Sequence, residues 1–264
     1  MSAHIMVFDS GIGGTTVLEQ IQQLIPEATY SYFMDNVLLP YGAQPPQKII
    51  QRLLALIHFI ESSALQVDIL VIACNTASTS ALNIIRRHTH IEIVGVVPAI
   101  KPACLISKTK HIGLIATPAT VNSHYTKALI KEHGKNTKVS LYASTKLVKL
   151  AETLFHTHSL SNYEFNEEIA ALNIADDIDV LVLGCTHFPL LANTLAMCFE
   201  KPVKLIDSGK AIANRVSSLL MKHQLALSID TKKPLRYYAT APIDASQLSI
   251  ELIELTDQTP DESD

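Results

Sequence analysis

The sequence predicts an α/β protein made of two similar α/β domains with mainly parallel sheets, related by a pseudo-twofold axis and facing across a central cleft. Three observations predict this fold. Apolar strand-like runs alternate with helical periodicity, two cysteine segments resemble each other, and two strand segments repeat at nearly the same offset. Alternation of strand and helix is typical of parallel sheets flanked by helices. We therefore expect two half-molecules of one architecture.

The clearest sign of duplication is the pair of segments Ile69–Thr76 and Val180–His187. In each, a run of Val, Ile and Leu ends at a small residue, a cysteine follows, and small polar residues come next. The two cysteines are 111 positions apart (185 minus 74), and the strands that begin at Ile5 and Ile112 are 107 apart (112 minus 5). Such agreement indicates an internal repeat. The alternative is an ordinary α/β sheet whose strands look alike.

Each predicted strand is a short apolar run bounded by turn residues, and each predicted helix is a longer segment with apolar residues at helical spacing. The strands are predicted near residues 5–8, 29–33, 67–73, 91–96, 111–116, 138–142, 178–183, 203–206 and 235–240. The clearest helices are predicted at Pro46 to Ser63, Thr76 to His88, Pro118 to His133, Phe188 to Phe199 and Ser208 to His223.

The domain boundary is predicted at Val97-Pro98, where a proline follows a strand. The chain is expected to return to the first domain near Asp207-Ser208-Gly209. Residues 1–97 together with 208–264 then form the first α/β domain, and residues 98–207 form the second.

Composition excludes several classes of function. The 264 residues are 48% apolar and 17% charged, which is typical of a globular protein with one or two cores. The net charge of −4 argues against a nucleic-acid surface, which would need clustered Lys and Arg. The spacing of Cys and His does not resemble a zinc site. We therefore expect no nucleic-acid partner and no metal.

The thiols are expected to be reduced. The first residues lack the basic and apolar regions of a signal peptide, and the longest apolar segment, Leu53 to Ile60, is too short for a membrane span. We therefore expect a cytoplasmic protein without a membrane partner, in which Cys74 and Cys185 are free. Cys104 and Cys198 lie in helical patterns and are expected to be inert core residues.

Cys74 and Cys185 both follow predicted strands, and in open α/β sheets ligands bind beyond the carboxyl ends of the strands. Two opposed thiols suit a reaction that removes a proton from one face of a substrate and returns a proton to the other. A thiol has a pKa of ~8.5 when unperturbed, so each needs neighbours that stabilise the thiolate or exchange protons with it.

Two turns accompany the thiols. The segment Phe8–Gly14 is a strand followed by a glycine-rich turn, whose amides would form an anion site. A dinucleotide fingerprint is a weak interpretation because position 16 is Thr, and a further alternative is that glycine serves only a tight backbone. Asp9 ends this strand and would point into the cleft. The turn Pro40-Tyr41-Gly42 would supply amides and a phenol there, although alone it is nonspecific.

Taken in order, these motifs closely resemble bacterial glutamate racemases, members of the aspartate/glutamate racemase superfamily, over about residues 5 to 220. The two cysteine motifs are the specific signals. The matching segments are Phe8-Asp9-Ser10-Gly11-x-Gly13-Gly14, Pro40-Tyr41-Gly42, Cys74-Asn75-Thr76-Ala77-Ser78 and Gly184-Cys185-Thr186-His187-Phe188-Pro189-Leu190-Leu191.

The resemblance implies a cofactor-independent interconversion of L- and D-glutamate that supplies D-glutamate for peptidoglycan and the cell wall. It implies that Cys74 removes the Cα proton of D-glutamate while Cys185 donates to the opposite face, with the roles reversed for L-glutamate. Asp9 would assist Cys74, and His187 with Glu152 would assist Cys185. The positions expected to hold the substrate are Ser10, Pro40, Tyr41, Gly42, Asn75, Thr76, Thr117, Thr120 and Thr186.

This chemistry fits the residue types. The Cα proton is only feebly acidic, so preorganised amide and hydroxyl donors around the α-carboxylate must stabilise the carbanion-like transition state in place of a metal or pyridoxal. Proton transfer by one positioned group contributes ~10²–10⁴-fold, so the cleft must also exclude water.

The sequence departs from the family pattern at two places. Thr15 follows the double glycine where the family usually has Leu, and Ala143–Lys146 replaces a usual Cys-Pro pair. The second change affects the expected placing of Glu152, which could instead be a solvated helix carboxylate. His187 could alternatively cap the helix that follows it.

Other functions remain open. A different racemase of the superfamily or an arylmalonate-type decarboxylase is one alternative, although a decarboxylase needs only one thiol. A non-catalytic amino-acid-binding protein is another, although loss of a thiol would then be expected. A homodimer is an expectation taken from the family.

Overall fold

The computed structural model describes residues 2–227, 234–243 and 249–257. The strands in these ranges are β1 (His4–Asp9), β2 (Thr29–Met34), β3 (Ile69–Ile72), β4 (Glu92–Gly95), β5 (His111–Ala116), β6 (Lys138–Ala143), β7 (Val180–Leu183), β8 (Lys204–Ile206), β9 (Arg236–Ala239) and β10 (Ile250–Leu252). The helices are α1 (Thr15–Leu24), α2 (Pro46–Ser62), α3 (Asn75–Ile85), α4 (Ile100–Ile106), α5 (Pro118–Asn122), α6 (His124–His133), α7 (Lys146–Thr157), α8 (Asn162–Leu172), α9 (Ala192–Ala196) and α10 (Gly209–Lys222). Short 3₁₀ turns span Asn36–Leu38, Tyr41–Ala43 and Phe188–Leu191.

Two sheets, each pairing its strands in parallel, form the framework. The first has the order β10-β9-β2-β1-β3-β4 and the second has the order β6-β5-β7-β8. Four strands of the first sheet, in the order β2-β1-β3-β4, correspond one by one to β6-β5-β7-β8 of the second sheet. The predicted fold class, two similar α/β domains, is confirmed.

A histidine–serine pair also repeats in the two halves. His4 begins β1 and its Nε2 lies 2.9 Å from Ser31 Oγ on β2. His111 begins β5 and its Nε2 lies 2.8 Å from Ser140 Oγ on β6. Because the same pair bridges the same two strands at the same end of each sheet, the halves repeat in detail as well as in topology.

Both faces of the central strands are buried, which explains their continuous apolar runs. On β1, Ile5 and Val7 pack in a core beneath α1 and α10, whereas Met6 and Phe8 pack in a core beneath α2 and α3. The second sheet likewise lies between α7 to α9 on one face and α4 to α6 on the other.

The structure corrects several sequence-based expectations. Each predicted strand overlaps an observed one, but β10 was not predicted. The helix predicted over Pro118 to His133 is divided at Ser123, which is extended (φ −61°, ψ 145°) and accepts a hydrogen bond from the Thr126 N–H. The helix predicted over Phe188 to Phe199 starts as a 3₁₀ turn and ends at Ala196.

The prediction for Cys198 is wrong, because this thiol is exposed in the turn after α9, whereas Cys104 is buried in α4 as expected. Among the described residues, no helix has the length and apolar character needed to cross a bilayer. The division into residues 1–97 with 208–264 and residues 98–207 stays a prediction.

Candidate active site

The two thiols occupy corresponding positions in the two halves. Cys74 lies between β3 and the first residue of α3, and Cys185 follows β7 after one glycine. Both are free and buried, with 6% and 7% of their surfaces exposed. They line the same cavity, which lies where the carboxyl ends of the two sheets face each other. The arrangement presents one sulfur from each half.

The cavity between the thiols has a volume of about 10 Å³, enough for roughly one water. Pockets that hold small ligands usually measure roughly 300–1,000 Å³, so this cavity is far smaller than a typical ligand site. A cavity of about 380 Å³ beside α8 is larger, but it contains neither of these thiols. The small cavity is lined by Ser10, Pro40, Tyr41, Gly42, Cys74, Asn75, Thr76, Thr117, Val148, Cys185, Thr186 and His187.

An imidazole and a carboxylate stand behind Cys185. The His187 Nδ1 atom lies 3.7 Å from the Cys185 sulfur, and its Nε2 atom lies 2.6 Å from Glu152 Oε1. Burial tends to lower the pKa of His187, but hydrogen bonds to Cys185 and Glu152 outweigh burial and raise this pKa well above its usual value. Burial tends to raise the pKa of Glu152, whereas the His187 hydrogen bond and charge bring it below its usual value. These two shifts favour an imidazolium beside a carboxylate.

Cys74 has a different neighbourhood. Its sulfur lies 3.9 Å from the Ser10 hydroxyl, and the backbone N–H of Ala77 points toward it. Burial, followed by the charge of Asp9, raises the pKa of the Cys74 thiol far above its usual value. Burial and this charge thus favour a neutral thiol at Cys74.

Asp9 links the two halves. Its Oδ1 atom accepts a hydrogen bond of 2.9 Å from the Gly11 N–H, and its Oδ2 atom accepts one of 2.9 Å from the Thr186 hydroxyl. Burial raises the pKa of Asp9, although the His187 charge and these hydrogen bonds oppose the rise. Within the described ranges no hydrogen bond joins Asp9 to Cys74, and the charge of Asp9 raises the pKa of that thiol.

One buried donor at the start of α3 lacks a partner, which suits a carboxylate ligand. Asn75 is 4% exposed, and its Nδ2 atom has no hydrogen-bond partner in the described part of the chain. Buried donors are nearly always paired, and a helix N-terminus favours anions. Beside it, the Thr76 hydroxyl lies 2.8 Å from the Thr117 hydroxyl and 3.2 Å from the Thr120 hydroxyl, which joins the two halves.

The Tyr41 phenol is bound by a buried carboxylate. Its hydroxyl donates a hydrogen bond of 2.5 Å to Asp35 Oδ2. Asp35 also accepts two hydrogen bonds from Arg52, at 2.9 and 2.7 Å. Gly42 approaches the second half so closely that a Cβ there would lie 2.6 Å from the Thr117 Cβ. The Asp35 carboxylate holds the turn on one side, and the backbone of the turn packs against the second half on the other.

The glycine turn does bind an anion, and that anion is a side chain. The Ile12 N–H donates a hydrogen bond of 3.0 Å to Glu152 Oε1. A Cβ at Gly11 would lie 2.1 Å from the same oxygen, and a Cβ at Gly13 would lie 2.4 Å from His187 Nδ1. Glycine is needed because side chains from the second half approach the backbone this closely. The dinucleotide interpretation gains no support.

Most of the predicted site residues line the cavity. The other three lie behind this lining. Asp9 contacts Thr186, and Glu152 contacts His187. Thr120 contacts both Thr76 and Thr117. Sequence reasoning missed Val148, a lining residue, although it lies four positions before Glu152 on α7 and so shares its helical face. It also missed Tyr32, a buried tyrosine of β2 beneath the glycine turn.

Comparison with known proteins gives consistent results. Residues 14–216 match the family model described as Asp/Glu/hydantoin racemase. The chain is 48% identical over 222 residues to a glutamate racemase of Shewanella frigidimarina, covering 84% of this chain and 85% of that protein.

Solved structures agree with the sequence comparison. The glutamate racemase of Escherichia coli, crystallised with L-glutamate and the activator UDP-MurNAc-Ala, superposes with a TM-score of 0.83 at 35% identity, covering 92% of this chain and 91% of that one. The Francisella tularensis glutamate racemase, crystallised with D-glutamate, gives a TM-score of 0.79 at 26% identity, covering 96% and 98%.

Proposed function

The chain belongs to the Asp/Glu/hydantoin racemase family and is a racemase acting on glutamate, and on that premise we propose a two-base mechanism without cofactor, carried out by Cys74 and Cys185. The observation that carries the proposal is the position of the two thiols, one from each half, in a single buried cavity. Sulfur atoms on opposite sides of one site can act on opposite faces of one carbon.

The proposed steps conserve protons and charge. The Cys74 thiolate takes the Cα proton of D-glutamate and becomes a thiol, while the electron pair of the C–H bond is delocalised toward the α-carboxylate. The Cys185 thiol then gives its proton to the opposite face and becomes a thiolate, which yields L-glutamate. The reverse reaction exchanges the two roles. A carbanion-like transition state of this kind is stabilised by preorganised donors.

The α-carboxylate of the substrate would bind at the start of α3, where Asn75 Nδ2 is a buried donor without a partner. The substrate ammonium would lie near Asp9 and Ser10. Because a nearby positive charge lowers the pKa of a thiol, the ammonium would offset the burial that keeps Cys74 neutral in the closed site. Substrate binding would thus help to generate the base.

On the opposite side, the His187 imidazolium would stabilise the Cys185 thiolate and exchange protons with it, held in place by Glu152. The remaining hydroxyls and amides around the cavity would hold the substrate as the family resemblance implies. They are Ser10, Pro40, Tyr41, Gly42, Thr76, Thr117, Thr120 and Thr186.

We also propose that the enzyme works in the cytoplasm and supplies D-glutamate for peptidoglycan, and that it forms a homodimer. The support is the resemblance to bacterial glutamate racemases. Sedimentation of the purified protein would test the dimer, and rescue of a D-glutamate auxotroph would test the role in the cell wall.

The mechanism is tested by replacing each thiol with a hydroxyl. Cys74→Ser and Cys185→Ser should each lower racemisation by at least about 10³-fold, because a serine hydroxyl is a far weaker acid than a thiol and does not ionise near neutral pH. Circular dichroism of L- and D-glutamate, with Cα deuterium uptake in D₂O, measures the loss. Cys104→Ser and Cys198→Ser are the matched controls, since both thiols lie outside the cavity lining.

The outcomes separate the alternatives. Full racemisation by either active-site variant contradicts the two-base scheme. Deuterium uptake by the wild type without change of handedness indicates one working base. Exchange with L-aspartate but not with L-glutamate would assign a different substrate.

A further inference from the structure

Two neighbouring amides of the turn after β1 bind the side chains of Asp9 and Glu152. The Gly11 N–H donates to Asp9 Oδ1 at 2.9 Å, and the Ile12 N–H donates to Glu152 Oε1 at 3.0 Å. Asp9 belongs to the first half and Glu152, on α7, to the second. The orientation of these two peptide groups therefore affects both sides of the site.

One buried hydroxyl holds this turn from the opposite side. Tyr32 on β2 is fully buried, and its hydroxyl donates a hydrogen bond of 2.7 Å to the Gly11 carbonyl. The Gly14 N–H interacts with the same hydroxyl. At Gly14 a Cβ would lie 2.8 Å from that oxygen, so the turn rests directly on Tyr32.

The Gly11 carbonyl and the Ile12 N–H belong to one peptide group. A peptide group is planar and almost always trans, so its carbonyl and its N–H point in opposite directions. The hydrogen bond from Tyr32 to the carbonyl therefore fixes the direction in which the N–H points, which is toward Glu152. A continuous path runs from the Tyr32 hydroxyl through this peptide, Glu152 and His187 to Cys185.

We propose that Tyr32 is a positioning residue for the racemase reaction. Its hydroxyl orients the Gly11–Ile12 peptide, and this peptide holds Glu152 and His187 in position behind Cys185 in the second half. This inference rests on the proposed roles of His187 and Cys185. It assigns a function in the second half-site to a side chain of the first sheet.

Tyr30 provides a matched control on the same strand. It lies two residues earlier on β2, is 5% exposed, and its hydroxyl donates to the Ile25 carbonyl at 2.6 Å. Tyr30→Phe and Tyr32→Phe each remove one buried hydroxyl that donates to a backbone carbonyl, and both keep the aromatic ring. They differ in that the carbonyl bound by Tyr32 belongs to the turn that binds Glu152, whereas the carbonyl bound by Tyr30 does not.

Kinetics of the two variants form the first arm of the test. Tyr32→Phe should lower kcat roughly 10-fold with little change in KM, the order expected for loss of one buried hydrogen bond in a network. Because the equilibrium constant between enantiomers is one, kcat/KM must fall equally in both directions. The deuterium isotope effect from L-[2-²H]glutamate, which Cys185 deprotonates, should rise relative to that from D-[2-²H]glutamate. Tyr30→Phe should change the urea midpoint only.

Spectroscopy forms the second arm and does not depend on activity. The ¹⁵N signals of the His187 imidazole should shift in Tyr32→Phe and not in Tyr30→Phe. Glu152→Gln combined with Tyr32→Phe should cost little more in kcat than Glu152→Gln alone, because both changes act on one path. Incorporation of 3-fluorotyrosine at position 32, which keeps the ring and hydroxyl, provides a second variant if Tyr32→Phe folds poorly, and it too should shift the His187 signals.

Equal behaviour of the Tyr30 and Tyr32 variants in kinetics and in the His187 signals would overturn the proposal. Additive effects of Tyr32→Phe and Glu152→Gln would also overturn it. If the wild type failed to racemise glutamate, the proposed function would fail while the His187 signals still tested the link from Tyr32.

Discussion

The side chains behind Cys185 form a series in which each group holds the next. His187 contacts the sulfur, Glu152 contacts the imidazole, and the His156 Nε2 atom lies 3.4 Å from the second carboxylate oxygen of Glu152. The Glu152 side chain is only 13% exposed, so its charge is weakly screened by water. Removing the charge of Glu152 should therefore change the pKa of His187 and, through it, the activity of Cys185.

Glu152→Gln should lower kcat roughly 10- to 100-fold, because the amide cannot balance the His187 imidazolium. The folded-state pKa of Glu152 is lowered and that of His187 is raised. The ion pair therefore forms as pH rises through the pKa of Glu152 and is lost as pH rises through the pKa of His187. In the variant the pKa of His187 falls, so the alkaline limb of the kcat/KM profile should move to lower pH.

The matched control for this variant is Glu132→Gln. Glu132 also lies beside a histidine, with 3.5 Å between its Oε1 atom and His133 Nε2, but its side chain is 71% exposed. Surface pairs of this kind contribute little. Its pH profile should superpose on that of the wild type, and an unchanged profile in Glu152→Gln would contradict the prediction.

The sequence predicted individual site residues better than their partners. Cys74, Cys185, Asp9 and His187 lie in local motifs at strand ends, where topology alone determines that they face a cleft. The partner of the Tyr41 hydroxyl, Asp35, could not be predicted, because the direction of a side chain in a loop depends on packing. Missed contacts of this kind join residues of different elements.

Among the elements, the start of β7 is attached to the loop before β5 by one carboxylate. Asp179 accepts hydrogen bonds from the Ser107 hydroxyl at 2.6 Å, the Lys108 N–H at 2.6 Å, and the N–H and hydroxyl of Thr109 at 3.1 and 3.0 Å. Burial tends to raise the pKa of Asp179, but these hydrogen bonds outweigh it and bring the pKa to about 2. β7 leads directly to Cys185.

Asp179 should make the stability of the protein sensitive to acid. A carboxylate whose pKa is depressed in the folded state stabilises it above the unfolded pKa of ~3.9, and this stability is lost as pH falls toward the folded value. Asp179→Asn should therefore lower the urea midpoint at pH 7, and the difference from wild type should shrink between pH 4 and pH 2.5. Asp176→Asn, an exposed carboxylate three positions earlier, is the control. A difference that stayed constant with pH would contradict this account.

The elements that sequence reasoning misjudged have identifiable physical causes. Apolar periodicity continues across Ser123, but its hydroxyl caps the start of α6 and holds the backbone extended, which divides the helix. β10 is a three-residue strand at the edge of the sheet with two of its residues exposed, so its apolar pattern is weak. Local patterns predicted the buried central strands because burial on both faces favours apolar residues at most positions.

For the whole molecule, the duplication was readable in the sequence but the closure of the cleft was not. Repeated segments at offsets near 110 appear as the same strand order in both sheets. Closure results from contacts between the halves, including a hydrogen bond of 3.1 Å from the Thr16 hydroxyl to the Thr186 carbonyl. A second link, from the Ser208 hydroxyl to the Val97 carbonyl at 2.5 Å, joins the two segments that connect the sheets. The volume left between two packed surfaces depends on side-chain fit and has no sequence signature.

A buried ion pair connects the beginning of the first half to the end of the described chain. Arg52 on α2 pairs with Asp35, which follows β2, and its Nη1 atom donates a hydrogen bond of 2.6 Å to the Leu255 carbonyl. The Thr240 hydroxyl, which follows β9, donates to Asp35 Oδ1 at 2.8 Å. Asp35 is fully buried and Arg52 is 6% exposed. This pair holds together segments about 200 positions apart in sequence.

Arg52→Met should lower the free energy of unfolding by about 3–5 kcal/mol, because Met fills the volume but leaves the Asp35 carboxylate buried without its counter-charge. The double variant Asp35→Asn/Arg52→Met should lose less than the sum of the single variants, since no charge then remains buried. Urea denaturation measures each value. Arg86→Met, which removes a guanidinium that donates to the Ile93 carbonyl at 3.0 Å, should cost only about 1 kcal/mol.

Because the Tyr41 hydroxyl shares Asp35, the KM for glutamate should rise in Arg52→Met and not in Arg86→Met. Additive losses in the double variant would mean that the pair does not act as a unit, and an unchanged KM would separate it from the Tyr41 turn.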